Sequence, residues 1–269
     1  MRRLSLDSFL QGRPLSMHQD IDNALQGWDF NVGVPQARIV QAADGRQVLQ
    51  LRVDLGLLQL ETVGRPDGAR PHGCLTYFQY LRDQARLVDR SGQAFVLSEE
   101  QSGEADREFF QFYHRRICWL ALRNYTKAMH DAEHTLAFMD FVRDHSPSDK
   151  YTQAHEQYRG LVIFHHTQAG AALALENENP EGAIDAIHQG LEKLRAFFVS
   201  LDAEEHFEED LMVNQLRKME LALRESHGIE TTLQEQLEEA VAREDYEGAA
   251  RLRDQLKNRP TPPEPMRDF

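Results

Sequence analysis

The chain has 269 residues, of which 41% are hydrophobic, and a net charge of −14 at pH 7. This length allows one large domain or two moderate ones, and the hydrophobic content is sufficient for a packed core. No stretch approaches the roughly eighteen apolar residues of a membrane span, the first residues show no signal-peptide pattern, and two cysteines do not form a disulfide framework. We therefore expect a cytoplasmic protein.

Charge is distributed unevenly along the chain. Residues 1–98 carry 11 Arg, no Lys and 10 acidic residues, whereas residues 99–269 carry 19 basic and 34 acidic residues. Binding to nucleic acid depends on Lys and Arg that neutralise phosphates, so we expect no direct DNA or RNA binding by the acidic part.

The first region, residues 1–97, is predicted to be an α+β module. Residues 1–19 show no clear period and are expected to be loop or a short helix, and residues 20–28 favour a helix. Two alternating runs flank Asp44 and Gly45, a strong hairpin signal, and a third strand is predicted at residues 57–63. So small an antiparallel sheet needs a covering helix, and residues 75–88 are the predicted cover.

A loop rich in Gly and Pro, residues 64–73, joins this sheet to the next helix and contains Arg65, Arg70 and His72. Two interpretations remain open for it. The three side chains could bind an anion beside the N-terminus of the following helix. Alternatively, the loop is a rigid clamp in which an Arg pairs with an acid such as Glu61 or Asp67. It matches neither the P-loop nor the dinucleotide fingerprint, so no nucleotide and no cofactor are expected.

Residues 98–227 are predicted to be helical. Helices are expected at residues 104–123, 124–144, about 149–176, 180–201 and 204–226, with Asn179 and Pro180 opening the fourth and Gly228 following the fifth.

Two of the predicted hairpins resemble tetratricopeptide repeats. The segment from Leu122 to Ala128 is similar to the entry to that family's second helix, and Ala171, Ala183 and Gly190 lie where the family places small residues at helix crossings. The corresponding Ala128 and Ala183 are 55 residues apart, whereas the family period is about 34, so we expect a tetratricopeptide-like domain or a general helical bundle rather than a regular solenoid.

The segment from Thr231 to Lys257 predicts a helical hairpin. Thr232 and Glu235 form a capping-box pattern that starts a first helix, which should end near Glu244. Asp245 can then cap a second helix. Side chains at three- and four-residue spacings give this hairpin one face for contact with a partner, namely Leu233, Leu237, Val241, Tyr246, Ala249, Ala250, Leu252, Arg253 and Leu256.

Residues 245–254 of this segment resemble the UVR motif of the UvrB and UvrC repair proteins, with an acidic–aromatic pair, two adjacent Ala and a Leu-Arg-Asp triplet. The resemblance implies a docking module that pairs with another helical hairpin and performs no chemistry. It also implies repair nucleases or Clp-type proteolysis and stress machinery as partner classes. The hairpin is assigned to residues 228–258, and the Pro-rich tail, residues 259–269, is expected to be disordered.

No pattern in the chain specifies a reaction or a metal site. His130 and His134 share a helical face, and His165 and His166 lie on a later helix, but the motifs of di-iron bundles and zinc proteases are absent, so surface or core histidines are expected. Cys118 lies between apolar residues and is expected to be buried. The sequence therefore predicts a non-enzymatic adaptor. The alternatives are an anion- or nucleotide-type small-molecule binder that uses the loop at 64–73, and a DNA-repair-associated factor.

Overall fold

The computed structural model describes residues 20–257. The irregular segment expected at residues 1–19 and the disordered tail expected at residues 259–269 lie outside the described residues. Within them, a three-stranded sheet precedes a series of helices, which confirms the predicted α+β class.

The sheet is an antiparallel meander of order β1-β2-β3, formed by β1 (Ala37–Gln41), β2 (Gln47–Val53) and β3 (Gly56–Glu61). The predicted hairpin lies between β1 and β2, where Gly45 takes a positive φ of 87° that favours glycine. The third strand is two residues shorter at its C-terminal end than predicted, because Glu61 turns into the loop by donating its N–H to the carbonyl of Pro66.

The prediction that residues 75–88 cover this sheet is wrong. Leu49, Leu51 and Leu60 of the sheet pack with Cys118 and Trp119 of a later helix, whereas the helix at 77–89 packs elsewhere. Its buried residues Tyr77, Phe78 and Leu81 form a separate cluster that includes Phe138 and Val142.

One short helix precedes the sheet, and the other helices follow it in the chain. The helices are α1 (Asp22–Leu25), α2 (Tyr77–Asp89), α3 (Glu99–Ala121), α4 (Tyr125–His145), α5 (Asp149–Glu156), α6 (Arg159–Glu176), α7 (Pro180–Ser200), α8 (Leu211–His227), α9 (Leu233–Ala242) and α10 (Tyr246–Lys257). Short 3-10 turns lie at Pro71–Gly73 and Glu204–Glu209.

Several predicted helix boundaries differ from the structure. The helix predicted at residues 20–28 is only the short α1, and α3 begins at Glu99 rather than at 104. The long third helix is divided into α5 and α6 at Gln157 and Tyr158, and the ion pair between Glu156 and Arg159 spans the break. The fifth helix begins at Leu211 rather than near 204, because the carboxylate of Asp210 accepts the first free N–H groups and ends the preceding 3-10 turn. Its predicted end is confirmed, since Gly228 adopts the left-handed conformation with φ of 63°.

Small residues permit the close crossings between the central helices. Ala128, Ala171 and Ala183 are fully buried, and a Cβ added at Gly190 of α7 would lie 2.1 Å from the Thr167 hydroxyl of α6. The small residues of the predicted helical hairpins therefore lie at helix crossings.

The guanidinium of Arg115 joins the sheet to the helices. It forms a two-point ion pair with Asp131 of α4, at 2.7 and 2.9 Å, and also donates to the backbone carbonyls of Glu61 and Gly64. Because both charged groups are buried, each depends on the other for compensation.

A second buried arginine holds a neutral histidine in the core. Arg116 donates from Nε to Nδ1 of His165 at 3.3 Å and from Nη1 to the hydroxyl of Thr135 at 3.0 Å. An arginine only donates, so Nδ1 of His165 must carry no proton. Burial lowers the pKa of His165 to about 4, and the positive charge of Arg116 adds to this effect.

His165 should therefore make the fold sensitive to mild acid. The unfolded chain binds a proton at this ring below about pH 6.5, whereas the folded chain resists it, so its contribution is complete above that pH and is lost as pH falls toward 4. We expect the free energy of unfolding to fall by about 3 kcal/mol more between pH 7 and pH 4 in the wild type than in His165→Gln. Urea unfolding at both pH values measures this difference, and equal pH dependence in the two proteins would contradict it.

Candidate functional site: a C-terminal helical hairpin

The first helix of the hairpin starts where the sequence predicts. Thr232 and Glu235 form a reciprocal capping box, in which the Glu235 N–H donates to the Thr232 hydroxyl at 3.2 Å and the Thr232 N–H donates to the Glu235 carboxylate at 2.6 Å. Two of the free donors at this helix end are thereby satisfied locally.

The turn between the helices depends on Glu244, Asp245 and Gly248. α9 ends at Ala242, two residues before the predicted end, and Glu244 takes a positive φ of 60°. The carboxylate of Asp245 then accepts the N–H of Gly248 at 2.9 Å, as predicted for the cap of α10. A Cβ at Gly248 would lie 2.2 Å from this carboxylate, so glycine leaves the space that the cap requires.

The nine residues of the predicted contact face do not share one open surface. Ala249 is buried, and five others are half-buried, namely Leu233, Leu237, Ala250, Leu252 and Leu256. Within residues 20–257, α9 and α10 pack most extensively against each other, so this burial comes largely from the hairpin itself. The exposed members are Val241 and Tyr246, with 52% and 70% of their surface accessible, together with Arg253. They form the open part of the hairpin.

The base of the hairpin is attached to α7 by hydrogen bonds. The Thr232 hydroxyl donates to the carboxylate of Asp185 at 3.0 Å, and the N–H of Leu233 donates to the carboxylate of Glu181 at 2.9 Å. The acceptors lie 47 and 52 residues earlier in the chain, so no local pattern in the sequence could reveal them.

Arg224 of α8 completes the attachment. Its guanidinium donates to Glu220 at 2.8 Å and to Glu235 at 2.6 Å, and it also donates to the backbone carbonyl of Glu230 at 2.9 Å. His188 of α7 contacts the same Glu220 oxygen at 2.8 Å. Burial alone would raise the pKa of Glu235, but hydrogen bonds from Arg224 and from the Thr232 backbone outweigh it and keep this pKa below its usual range.

His188, Glu220 and Glu235 are the one group in the described residues whose donor atoms lie close enough together, within 4.8 Å, to hold a metal ion. The guanidinium of Arg224 is bonded to both carboxylates, so it already supplies positive charge at this position. The four histidines considered from the sequence have other contacts. His134 stacks on Phe112, His165 accepts from Arg116, His166 lies 3.2 Å from Glu133, and His130 also has an interaction partner.

A cleft of about 510 Å³ lies between α7 and α9 beside this attachment. The ring of Phe207, which is almost fully buried, forms part of its wall between the guanidinium groups of Arg195 and Arg217. Both arginines are paired with the carboxylate of Glu208. The other lining residues are mostly polar or acidic, namely Asp185, His188, Gln189, Leu191, Glu192, Gln234, Glu235 and Glu238.

The loop at 64–73 does not bring its three predicted anion ligands together as a free site. Arg65 is buried, with ion pairs to Glu104 at 2.9 Å and to Asp67 at 3.4 Å, and its Nε lies 3.8 Å from Glu108. This arrangement matches the clamp alternative. Asp67 is an expected partner of Arg65, whereas no pattern in the sequence indicates the two glutamates of α3. Arg70 and His72 are exposed, and the His72 ring stacks on Tyr80 with centroids 3.9 Å apart.

The fold and this geometry define an α+β protein with a helical hairpin, at residues 233–257, whose base is attached to the body and whose tip is open. Residues 231–258 match the family described as the UvrB/uvrC motif, which confirms the resemblance and supports a role in protein interaction or DNA repair. No curated protein and no solved structure matches the chain. Among residues 20–257, no helix combines the length and the apolar character needed to cross a membrane.

Removal of the buried Arg65 side chain should destabilise the protein strongly. Arg65→Ala leaves the fully buried carboxylate of Glu108 without its nearest arginine, so we expect a loss of about 3–5 kcal/mol in the free energy of unfolding. Arg70→Ala, a matched exposed control in the same loop, should change it by less than about 0.5 kcal/mol. Chemical denaturation measures both, and a small effect of Arg65→Ala would contradict the clamp.

Proposed function

We propose that this protein is a non-enzymatic cytoplasmic adaptor that captures another protein through its UVR hairpin. The observation that carries the proposal is the exposure of Val241 and Tyr246 at the open end of a hairpin that matches a docking motif. Tyr is enriched at protein interfaces because it supplies a large apolar contact area and a polar tip, and the exposed Val241 adds apolar surface at the same end of the hairpin.

The proposed partner presents a complementary helical hairpin or a groove for one. The resemblance to the UVR motif suggests repair nucleases and Clp-type proteolytic machinery as the partner classes. Arg253 of α10 is exposed beside Asp254, and Arg251 is exposed one turn after Glu247, so the rim around Tyr246 carries both signs of charge. Such a rim sets orientation and partner choice more than total affinity.

The polar groups of the body support a structural rather than a catalytic role for its interior. Glu108, Arg115 and Asp131 are buried and are engaged in ion pairs or in hydrogen bonds to the backbone. Burial raises the pKa of the Cys118 thiol to about 12, which keeps it protonated and unreactive at neutral pH. These features favour the adaptor over an enzyme.

Partner capture should depend on the exposed tip of the hairpin. The partner is first identified by affinity purification with and without residues 229–258, followed by mass spectrometry, and is then purified for calorimetry. We expect Tyr246→Ala to weaken binding about thirtyfold, because an interface anchor commonly contributes 2 kcal/mol or more. Val241→Asp should also weaken it, since a carboxylate would be buried at the contact.

Leu211→Asp is the matched control for these changes. Leu211 is an exposed leucine at the start of α8, with 84% of its surface accessible, so this substitution places the same charge on the body rather than on the hairpin. It should leave partner affinity unchanged, and circular dichroism should show equal helical content in all three variants. Full affinity in both tip variants would overturn the proposed docking role.

The repair-related alternative requires nucleic-acid binding by the chain itself or by its partner. The excess of acidic residues beyond residue 98 opposes binding of nucleic acid by this chain itself. In filter binding at about 0.15 M salt, we expect the purified protein to bind DNA no more tightly than the non-specific range of roughly 10⁻⁴ to 10⁻⁶ M. Nanomolar binding that weakens steeply with salt would favour a repair factor over an adaptor.

A further inference from the structure

The hairpin is joined to the body at one end by polar contacts. No side chain of α9 or α10 belongs to the four hydrophobic clusters that the described residues form. The contacts to α7 and α8 are instead made by Thr232, Leu233 and Glu235, which all lie at the start of α9. The tip, with Val241 and Tyr246, remains open to solvent.

The contacts at this joint suit a helix N-terminus. The backbone N–H groups of a first helical turn lack partners within the helix, and the positive end of the helix dipole favours nearby carboxylates. Glu181 of α7 accepts one of these N–H groups, from Leu233, while Asp185 accepts the hydroxyl of the capping Thr232. The α7 surface is thus shaped to receive the start of α9.

Arg224 is the cation that ties this joint together. It lies in the last turn of α8 and bonds to Glu220 on its own helix, to the carbonyl of Glu230 in the connection and to Glu235 on α9. One side chain therefore links the helix before the connection, the connection itself and the first helix of the hairpin. Its own side chain is 18% exposed, so water and salt can reach it.

We infer that Arg224, with Glu181 and Asp185, forms a latch that fixes the direction in which the hairpin points, and that this latch opens when its ion pairs are lost. The inference deepens the proposed function, because the latch would control how the docking tip is presented. A docking element held in one orientation loses less freedom when it binds, so a closed latch favours capture.

Salt should open the latch because the ion pairs of Arg224 with Glu220 and Glu235, which tie its parts together, are partly exposed. The Debye length falls from roughly 10 Å at 0.1 M salt to about 3 Å at 1 M, so pairs at the surface are strongly screened. No apolar cluster of the described residues extends from the body into the hairpin to hold it once the ion pairs are gone.

The test measures hairpin orientation without any partner. Spin labels are attached at Ala196→Cys on α7 and at Gln255→Cys on α10, both exposed, in a Cys74→Ser background. The buried Cys118 should not be labelled, since its thiol pKa is raised to about 12 by burial. Double electron–electron resonance should give one narrow distance distribution at low salt.

Arg224→Gln should broaden this distribution about twofold or more, as expected for an element that opens once its local contacts are lost, and about 1 M salt should do the same to the wild type. Arg243→Gln is the matched control, because Arg243 forms its ion pair with Glu239 inside the hairpin. Its distribution should stay narrow.

Glu235→Gln tests the latch from its other side. Glutamine retains the capping box but removes the charge that pairs with Arg224, so the hairpin should stay helical while its direction becomes variable. If circular dichroism shows that Arg224→Gln loses helical content, Glu235→Gln is the variant that tests whether the latch fixes the direction of the hairpin.

An unchanged, narrow distribution in Glu235→Gln would overturn the latch, and so would equal broadening in Arg243→Gln or a broad distribution in the wild type at low salt. None of these results depends on a partner. Full partner affinity in both tip variants, together with a narrow distribution in the wild type, would therefore count against the docking role alone.

Discussion

The position of the sheet depends on the buried arginine Arg115. Three short strands are only marginally stable unless something packs against them, and here one face of the sheet contacts α3 through Trp119 and Cys118. Arg115, on the same helix, donates to the carbonyls of Glu61 and Gly64 at the end of β3 while it pairs with Asp131 of α4. A buried guanidinium without a carboxylate would be costly, so the end of the sheet, α3 and α4 must be assembled together.

A second buried charged group, the carboxylate of Glu108, fixes the position of α2. The carboxylate of Glu108, which is fully buried on α3, accepts the N–H groups of Tyr77 and Phe78 at 2.6 and 3.0 Å, so it acts as the cap of a helix more than thirty residues earlier. Arg65 lies 3.8 Å from that carboxylate and pairs with Glu104 one turn before it. The loop that resembles an anion site is therefore a structural joint, and its arginine is occupied by the anions of α3.

How far the sequence predicts this structure depends on the range of the interaction. The turn at Gly45, the capping box of Thr232 and the end of α8 at Gly228 are set by neighbours within a few residues, and each was predicted. The cover of the sheet, the partners of Arg65 on α3 and the attachment of Leu233 to Glu181 join segments that are 39 or more residues apart. Periodicity carries no information on such pairings. Periodicity also does not separate the half-buried leucines of α9 and α10 from the exposed Val241 and Tyr246, because all of them follow the same helical spacing.

The hairpin combines two kinds of surface at its two ends. A unit of about thirty residues buries too little apolar area to be stable alone, so it needs support from the body. That support comes as hydrogen bonds and ion pairs at the start of α9, where a helix end requires acceptors in any case. Because the body supplies polar contacts at the base, Val241 and Tyr246 at the other end are not needed for internal packing and remain exposed. Under the proposed docking role, binding and folding therefore depend on different residues, and a change at the tip should alter binding without altering folding.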